Sequence, residues 1–490
     1  MLRKQWVVKV FILIICGFSA CSGPGTPDLP DGKSTTDSNG FEVGLDSQID
    51  VEQDNIADGT ADVVSVSKLE ALPNPANPLS FYVTWETSSP VIGQVMVNCG
   101  DELTGEITAS TPATEHEVYI MGLWEGATCK VAVGPASGRD EATLEWTVEP
   151  LGSPYPELTL QVLDKELVAP GWTLFNLSNK FDKIPLLVVI VDEQGRYRWV
   201  HRRAGSSSGA ATSTVMIEDG ILVGGTFDSG RIWPALIDYE SHLVWEEKWD
   251  MHHDLRPDGP NYFLFVGNAP KGTCPPDVPD SDALFRAERG SSEIVWNWQF
   301  CNHYIPLSSS GDWDHVNAVV PFPNGTALLF SARGQGALFK VDRDSGEIVW
   351  RMGKNGGFDF QGGTQRPFHK QHAPEFTADN RILLFDNGRE PDLMRSGAVE
   401  IDFDEVGLTY KTVWSYYPDP PIFADIWGDA DRLLNGNTLV TFGQRDKTLD
   451  SDIQEVTEDG EVVWHLSTPL KWGWYRADRV EPLPPGFFVE

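Results

Sequence analysis

The sequence predicts an all-β protein, a six-bladed β-propeller preceded by a small β-sandwich. Two sixfold elements and one change of texture carry that expectation. Apolar strands end in tryptophan at Trp199, Trp245, Trp296, Trp350, Trp414 and Trp464, spaced 46, 51, 54, 64 and 50 residues apart. Self-similarity at a period of about fifty residues marks a repeat architecture. Between the tryptophans recurs a turn leading into an apolar strand: STVMIEDGILVGG, HHDLRPDGPNYFLFVG, HVNAVVPFPNGTALLFSAR, HAPEFTADNRILLFDNG, ADRLLNGNTLVTFGQR and ADRVEPLPPGFFVE. Each unit holds several short strands split by turn residues and no helical periodicity, the pattern of a four-stranded blade. Upstream of residue 151 the repeat stops and a different strand texture takes over.

Taken in chain order, residues 1–20 read as a secretion signal. Arg3 and Lys4 precede the apolar run WVVKVFILIICGF, which is short for a membrane span and is interrupted by Lys9. The segment FSAC resembles a bacterial lipobox, with Phe18 where leucine is usual. The resemblance implies that Cys21 is the lipidated first residue of the mature chain, anchoring it to a membrane. Ser22 resembles the outer-membrane address of such lipoproteins, so the cell envelope is the expected location. Residues 21–62, rich in Gly, Pro, Ser and Asp, read as a disordered acidic tether.

Residues 63–150 are the sandwich. LSFYVTWETSSP, IGQVMVNCG, EHEVYIMGLWEGATCKVAVG and EATLEWTVEP are short runs of Val, Tyr, Trp and Thr between turns, and the span suits one sandwich. TWETSSP and HEVYIMGLWEGATCKVAV make it resemble a fibronectin type III domain. His116 opens a strand there and reads as structural. Residues 151–490 form the propeller. The six turn-and-strand elements are expected to be its innermost strands, with the sixth ending the chain. The strands before Trp199 then close the ring with both ends of the domain, which removes exposed edges.

With Cys16 leaving in the signal and Cys21 taken by the lipid, four cysteines remain: Cys99, Cys129, Cys274 and Cys301. An even count in an exported chain favours disulfides. The local pairs Cys99–Cys129 and Cys274–Cys301 are expected, with two other connectivities open. The net charge of −35 excludes a nucleic-acid footprint and means that an anionic substrate needs a local cationic pocket.

One slot in the repeat carries chemistry. His252 and Phe265 are thirteen residues apart, as are His372 and Phe385, while His315 and Phe330 are fifteen apart across a longer turn. The fifth and sixth units place Ala430/Asp431 and Ala477/Asp478 near that slot, and the first has small residues around Ala210–Thr214. A histidine serving the repeat would recur in all units, so His252, His315 and His372 in adjacent units point to one shared site. Asn317 follows His315 by two and alternates onto its face, as Asp254 does from His252. Arg333 ends the strand that His315 begins and suits the grip of an oxyanion. Trp313, Tyr304, Phe368 and Trp427 are candidate aromatic platforms on loops. His369 and Lys370 read as the solvent side of their loop, and His201, His242, His303 and His465 as structural or exposed.

MHHDLRPDG, DWDHVNAVVPFPNGTALLFSAR, SGEIVWRMG, QHAPEFTADNRILLFDNG and LLNGNTLV together resemble bacterial arylsulfotransferases that work without a nucleotide donor. The resemblance covers about 250–460 well. It implies a six-bladed propeller with an N-terminal β-domain, moving a sulfuryl group from an aryl sulfate donor to a phenolic acceptor. By motif, His372 matches the transiently sulfated histidine, and His252, His315, Asn317 and Arg333 match the residues that hold the sulfate. No cofactor is expected, and neither GxxxxGK[ST] nor GxGxxG occurs. Two rival expectations are a zinc-dependent hydrolase, with the three histidines and Asp254 on a metal, and a non-catalytic lipoprotein grasping a glycan or protein.

Overall fold

The computed structural model describes residues 64–489, apart from 139–140, 180, 183, 204–212, 226–232, 307–311, 363–367, 390–393 and 446–449. The signal segment, Cys21 and the tether lie outside the described residues. Those described form strands, turns and one short 3-10 helix, Phe300–Asn302, with no α-helix among them. The protein is all-β, as the strand-length apolar runs predict.

The N-terminal region is built on two long strands. Phe81–Asn98 pairs along its length with Thr104–Ile120. Its other edge is shared, Val66–Pro73 taking the first half and Thr128–Pro135 the second. Alternation along Phe81–Asn98 turns Phe81, Val83, Trp85, Val95 and Val97 inward, into one core with Val118, Ile120, Val131 and Val133. His116 stacks on Trp85 at 4.7 Å, with Nε2 3.1 Å from Thr87 Oγ1, a structural placement. Cys99 and Cys129 are bonded and close a loop of separation 30; Cys274 and Cys301 form the second bridge. Opening the first bridge with a Cys99→Ser/Cys129→Ser double variant should lower the unfolding free energy by about 2–5 kcal/mol. Urea melts read this directly, and unchanged melts would show that the loop gains nothing from the bond.

Beyond residue 158 the strands form mainly antiparallel sheets of four or five strands, besides one two-stranded pair, Ala424–Ile426 with Gln444–Arg445. The leading strands are Thr214–Ile217, Met251–Pro257, Val316–Pro321, His372–Phe376, Asp429–Arg432 and Ala477–Val480. All six tryptophan-bearing strands stand fourth in these sheets, counting from the leading strand: Leu243–Glu246, Ile294–Gln299, Ile348–Gly353, Thr409–Tyr416, Val462–Ser467 and Tyr197–Arg202. The last sheet joins both ends of the region, since Ala477–Val480 pairs with Trp172–Asn179, followed by Ile184–Val191 and Tyr197–Arg202. Leading strands of neighbouring sheets touch: Met251–Pro257 meets Val316–Pro321, which meets His372–Phe376, which meets Asp429–Arg432, while Thr214–Ile217 meets Ala477–Val480. Apolar faces of successive sheets share cores, as where Leu264, Val266 and Leu284 pack with Val316, Val319 and Phe330.

The sixth turn-and-strand element departs from expectation. Ala477–Val480 leads its sheet, but the apolar run after it does not return alongside. Three prolines at 482, 484 and 485 remove backbone donors and carry the chain away. Gly486–Phe488 then pairs with Thr104–Ile120 of the N-terminal sheet. Phe487 lies 5.4 Å from Tyr119, and Phe488 5.9 Å from Trp85. The place left beside Ala477–Val480 is taken by Trp172–Asn179.

Candidate active site

The leading strands begin in an unusual backbone conformation. Four consecutive sheets each place one non-glycine residue at positive φ there: His253 at 62°, His315 at 44°, Ala373 at 44° and Trp427 at 65°. L-residues avoid this region, and such strain is retained where the surroundings over-determine it, often at functional sites. The ladders slip close by, between His252 and Leu255, Val316 and Ala318, and His372 and Glu375. The positive φ sets the alignment. His315 aligns with His253 and Ala373, whereas His252 and His372 each stand one residue before the positive-φ position.

His372 is 2% exposed at the start of its strand. Its Nδ1 lies 2.6 Å from Asn387 Oδ1. The Asn387 amide nitrogen donates to the carbonyls of Ala424 and Trp427, each at 2.8 Å, which turns the oxygen toward the histidine. An amide oxygen only accepts, so Nδ1 carries the ring proton and Nε2 keeps its lone pair. Burial, then the charge of Arg333, holds the His372 pKa well below the ordinary histidine value, with His315 and Arg476 adding to the effect. This is a neutral imidazole with its basic nitrogen specified.

His253, not singled out by the spacing, lies at the centre of the histidines. Its ring centroid is 4.9 Å from that of His252 and 4.8 Å from that of His315. Nδ1 lies 3.0 Å from the Tyr475 hydroxyl, and the Tyr475 ring is 6.3 Å from His372. Burial, followed by the fields of His315, His252 and His372, drives the His253 pKa well down. His252 has the opposite character. Burial works against its charge, but the carboxylates of Asp282, Asp314 and Asp312 outweigh it and raise the pKa, with Nε2 3.0 Å from Asp282 Oδ1. His315 Nδ1 contacts Asp312. The acids therefore favour the charged form of one ring, and burial the neutral form of the two beside it.

Arg333 follows the strand Ala327–Ala332, and its backbone N–H donates to the His315 carbonyl at 3.0 Å. Its guanidinium, 14% exposed, donates to the Asp425 carbonyl at 3.2 Å and lies 3.9 Å from the Asp425 carboxylate. The half-buried Lys370 is lowered in pKa by burial and then by Arg333, Lys354 and Arg389, so it belongs to a cationic group rather than to the solvent side of its loop. In a chain of net charge −35, this is the local cationic pocket an anion requires.

Asn317 and Asp254 serve the frame. Asn317 is fully buried and donates to the Gln371 carbonyl at 2.8 Å, next to His372. Asp254 accepts from Arg476 at 2.8 Å, Arg256 at 3.0 Å and the Val319 N–H at 2.9 Å, and these partners hold its carboxyl below the usual range against the pull of burial. Arg476 also donates to the Asn317 carbonyl at 3.2 Å, strapping two leading strands together. Of the aromatic candidates, Trp313 and Phe368 are buried in cores, and Tyr304 stacks on Phe300 and Trp313. Trp427 is half-exposed, its carbonyl accepting from Asn387. Tyr475, which had no motif to mark it, is the ring that meets the histidines. Among the described residues, the groups of acids and histidines close enough to share a metal are Asp282/Asp312/Asp314 and Asp429/Asp431/Asp478. Neither contains the three predicted histidines, so the geometry expected of a zinc hydrolase is not assembled.

A buried neutral imidazole with one nitrogen specified, next to a guanidinium and a second, charged imidazole on an all-β frame, is equipment for moving an anionic group. The family model described as Arylsulfotransferase (ASST) matches residues 171–472, and the chain belongs to that family. None of the curated proteins compared with the chain matches it. Among solved structures, a β-propeller domain from Myceliophteria thermophila is 13% identical, covers 62% of this chain and 88% of its own, and has a TM-score of 0.37. A periplasmic gluconolactonase from Pseudomonas aeruginosa is 12% identical over 81% of this chain and 99% of its own, with a TM-score of 0.35. An auxiliary nutrient binding protein from Bacteroides ovatus is 10% identical over 85% and 92%, with the same score of 0.35. Likenesses this loose carry nothing about activity or blade number.

Proposed function

We propose that the protein is an aryl sulfate:phenol sulfotransferase that works by ping-pong transfer through a sulfohistidine at His372. The observation that carries this is the Asn387 amide, which fixes the His372 tautomer and leaves Nε2 as a buried nucleophile. In the first half-reaction Nε2 attacks the sulfur of the donor. The bond from sulfur to the aryl oxygen breaks, and its electron pair leaves on the phenolate, which takes a proton from the site. In the second half, an acceptor phenol returns that proton and its oxygen takes the sulfuryl group from Nε2. His315, whose Nδ1 contacts Asp312, is assigned the transfer of that proton between the two half-reactions. Arg333, charged His252 behind His253, and Lys370 supply the field that a loose transition state with charge on its equatorial oxygens needs.

The sheets whose leading strands touch in sequence are read as the six blades of a propeller over 151–490, and the sheet over 63–150 as a fibronectin type III-like sandwich. The lipobox-like FSAC supports an exported lipoprotein anchored at Cys21, in the outer membrane facing the periplasm or the cell surface. The test uses 4-nitrophenyl sulfate labelled with radioactive sulfur. Without acceptor, one acid-labile label per chain should form on a histidine. Adding a phenol should discharge it as a labelled aryl sulfate. Neither label nor transfer across a broad panel of donors and acceptors would leave a non-catalytic binding propeller as the better reading.

A further inference from the structure

A second group of reactive side chains lies on the leading strands away from the histidines. Asp429 and Asp431 belong to Asp429–Arg432, and Asp478 to Ala477–Val480 of the next sheet. One carboxylate oxygen from each lies within 4.8 Å of the other two. Glu375, from His372–Phe376, hydrogen-bonds to Asp431 and accepts the Arg432 N–H at 2.9 Å. The nearby cations are committed elsewhere: Arg256 and Arg476 bind Asp254 directly, at 3.0 and 2.8 Å. Among the described residues no ion pair reaches Asp429, Asp431 or Asp478.

An independent feature points the same way. Thr441 is fully buried and sits directly across the ladder from Asp429, so their side chains share a face. Its Oγ1 has no hydrogen-bond partner, and neither does Asp431 Oδ2. Buried polar atoms are rarely left unpaired without a reason. Three clustered carboxylates from two sheets, and a hydroxyl on the same face as Asp429, form a set of hard oxygen donors.

We propose that Asp429, Asp431 and Asp478, completed by Thr441 Oγ1, bind one calcium ion. Calcium–oxygen bonds of about 2.3–2.6 Å allow ligand oxygens up to about 5 Å apart, and the three carboxylates fall within that limit. Magnesium, at about 2.0–2.1 Å, demands a tighter and near-ideal octahedron. A dication in their midst offsets the buried charge of the clustered acids, since Arg256 and Arg476 are committed to Asp254. It also ties the fifth leading strand to the one that joins both ends of the region, two residues from Arg476 and three from Tyr475.

The full chain, stripped with a chelator and dialysed, is titrated with calcium chloride alone by calorimetry and by thermal melting. One calcium per chain and a rise of several degrees in Tm are expected, with a smaller rise for magnesium at equal concentration. Asp431→Asn should weaken calcium binding by about tenfold or more, and Thr441→Val by less. If the Asp431 variant does not fold, direct metal analysis of the wild-type chain decides. Absence of bound calcium at millimolar concentration overturns the site, because the acids then hold protons. Binding that survives both Asp431→Asn and Asp478→Asn also overturns it, because the ion then sits elsewhere.

Discussion

Replacing His372 by alanine should abolish sulfuryl transfer, with a fall in kcat/KM of about four orders of magnitude or more and no label retained from a sulfated donor. The size of the effect follows from what is lost. His372 supplies the nitrogen that would bond to sulfur, and His253, its pKa driven down by burial and by the field of its histidine neighbours, has its Nδ1 engaged with Tyr475. His252 is a poor substitute, because its Nε2 is engaged with Asp282, whose carboxylate favours the charged ring. His369→Gln is the control in sequence. Its backbone N–H caps Asp386 at 2.7 Å and its carbonyl accepts the Gly388 N–H, contacts that any side chain leaves in place. Transfer by that variant should stay within about a factor of a few of wild type. Label persisting in His372→Ala would move the covalent site to another residue.

The two histidines of RPFHKQH were separable from sequence because the repeat gives each residue a rank within its unit, and His372, unlike His369, shares its rank with His252. The tryptophans were legible for the same reason: Trp199, Trp245 and their counterparts all fall in fourth strands, where a local alternation pattern suffices. What stayed hidden depends on the backbone. His253 and His252 are adjacent letters, and only the positive φ at His253 decides which ring lies against His315. A ruler laid along the sequence counts residues and cannot see the slip in the ladder. Tyr475 and Arg476 were missed because the sixth unit has no histidine to draw attention to its slot, although WGWYRADRV holds an aromatic and a cation just ahead of the repeated ADR. Asp254 looked like a ligand by its offset, but a buried carboxylate takes whatever guanidinium the fold brings, and Arg476 comes from more than two hundred residues away. The last strand, GFF, was placed by apolar character alone, and the three prolines before it were the signal that it leaves its unit.

Arg333→Gln should lower kcat/KM by about 10²–10³ and should also move the acid limb of its pH profile upward. The two effects have one origin. Arg333 is the strongest charge acting on His372, second only to burial in holding its pKa down. In the wild type the nucleophile therefore stays neutral and active well below the ordinary histidine value of about 6.5. Removing the guanidinium lets the imidazole take up a proton more readily, so activity fails earlier as pH falls and the limb moves up. The sign for stability runs the same way. A histidine with a depressed folded pKa binds protons in the unfolded chain that the fold refuses, so stability is full above about 6.5 and declines as pH drops toward the folded value. Arg333→Gln should soften that acid decline while costing activity, which no simple loss of folding would do. Arg333→Lys separates the contributions: the charge remains, so the limb should stay near its wild-type position, but a compact ammonium cannot reproduce the planar fork, so the rate should recover only in part. A limb that stays fixed in Arg333→Gln would mean that burial alone keeps His372 neutral, and the role of Arg333 would then reduce to holding the sulfate.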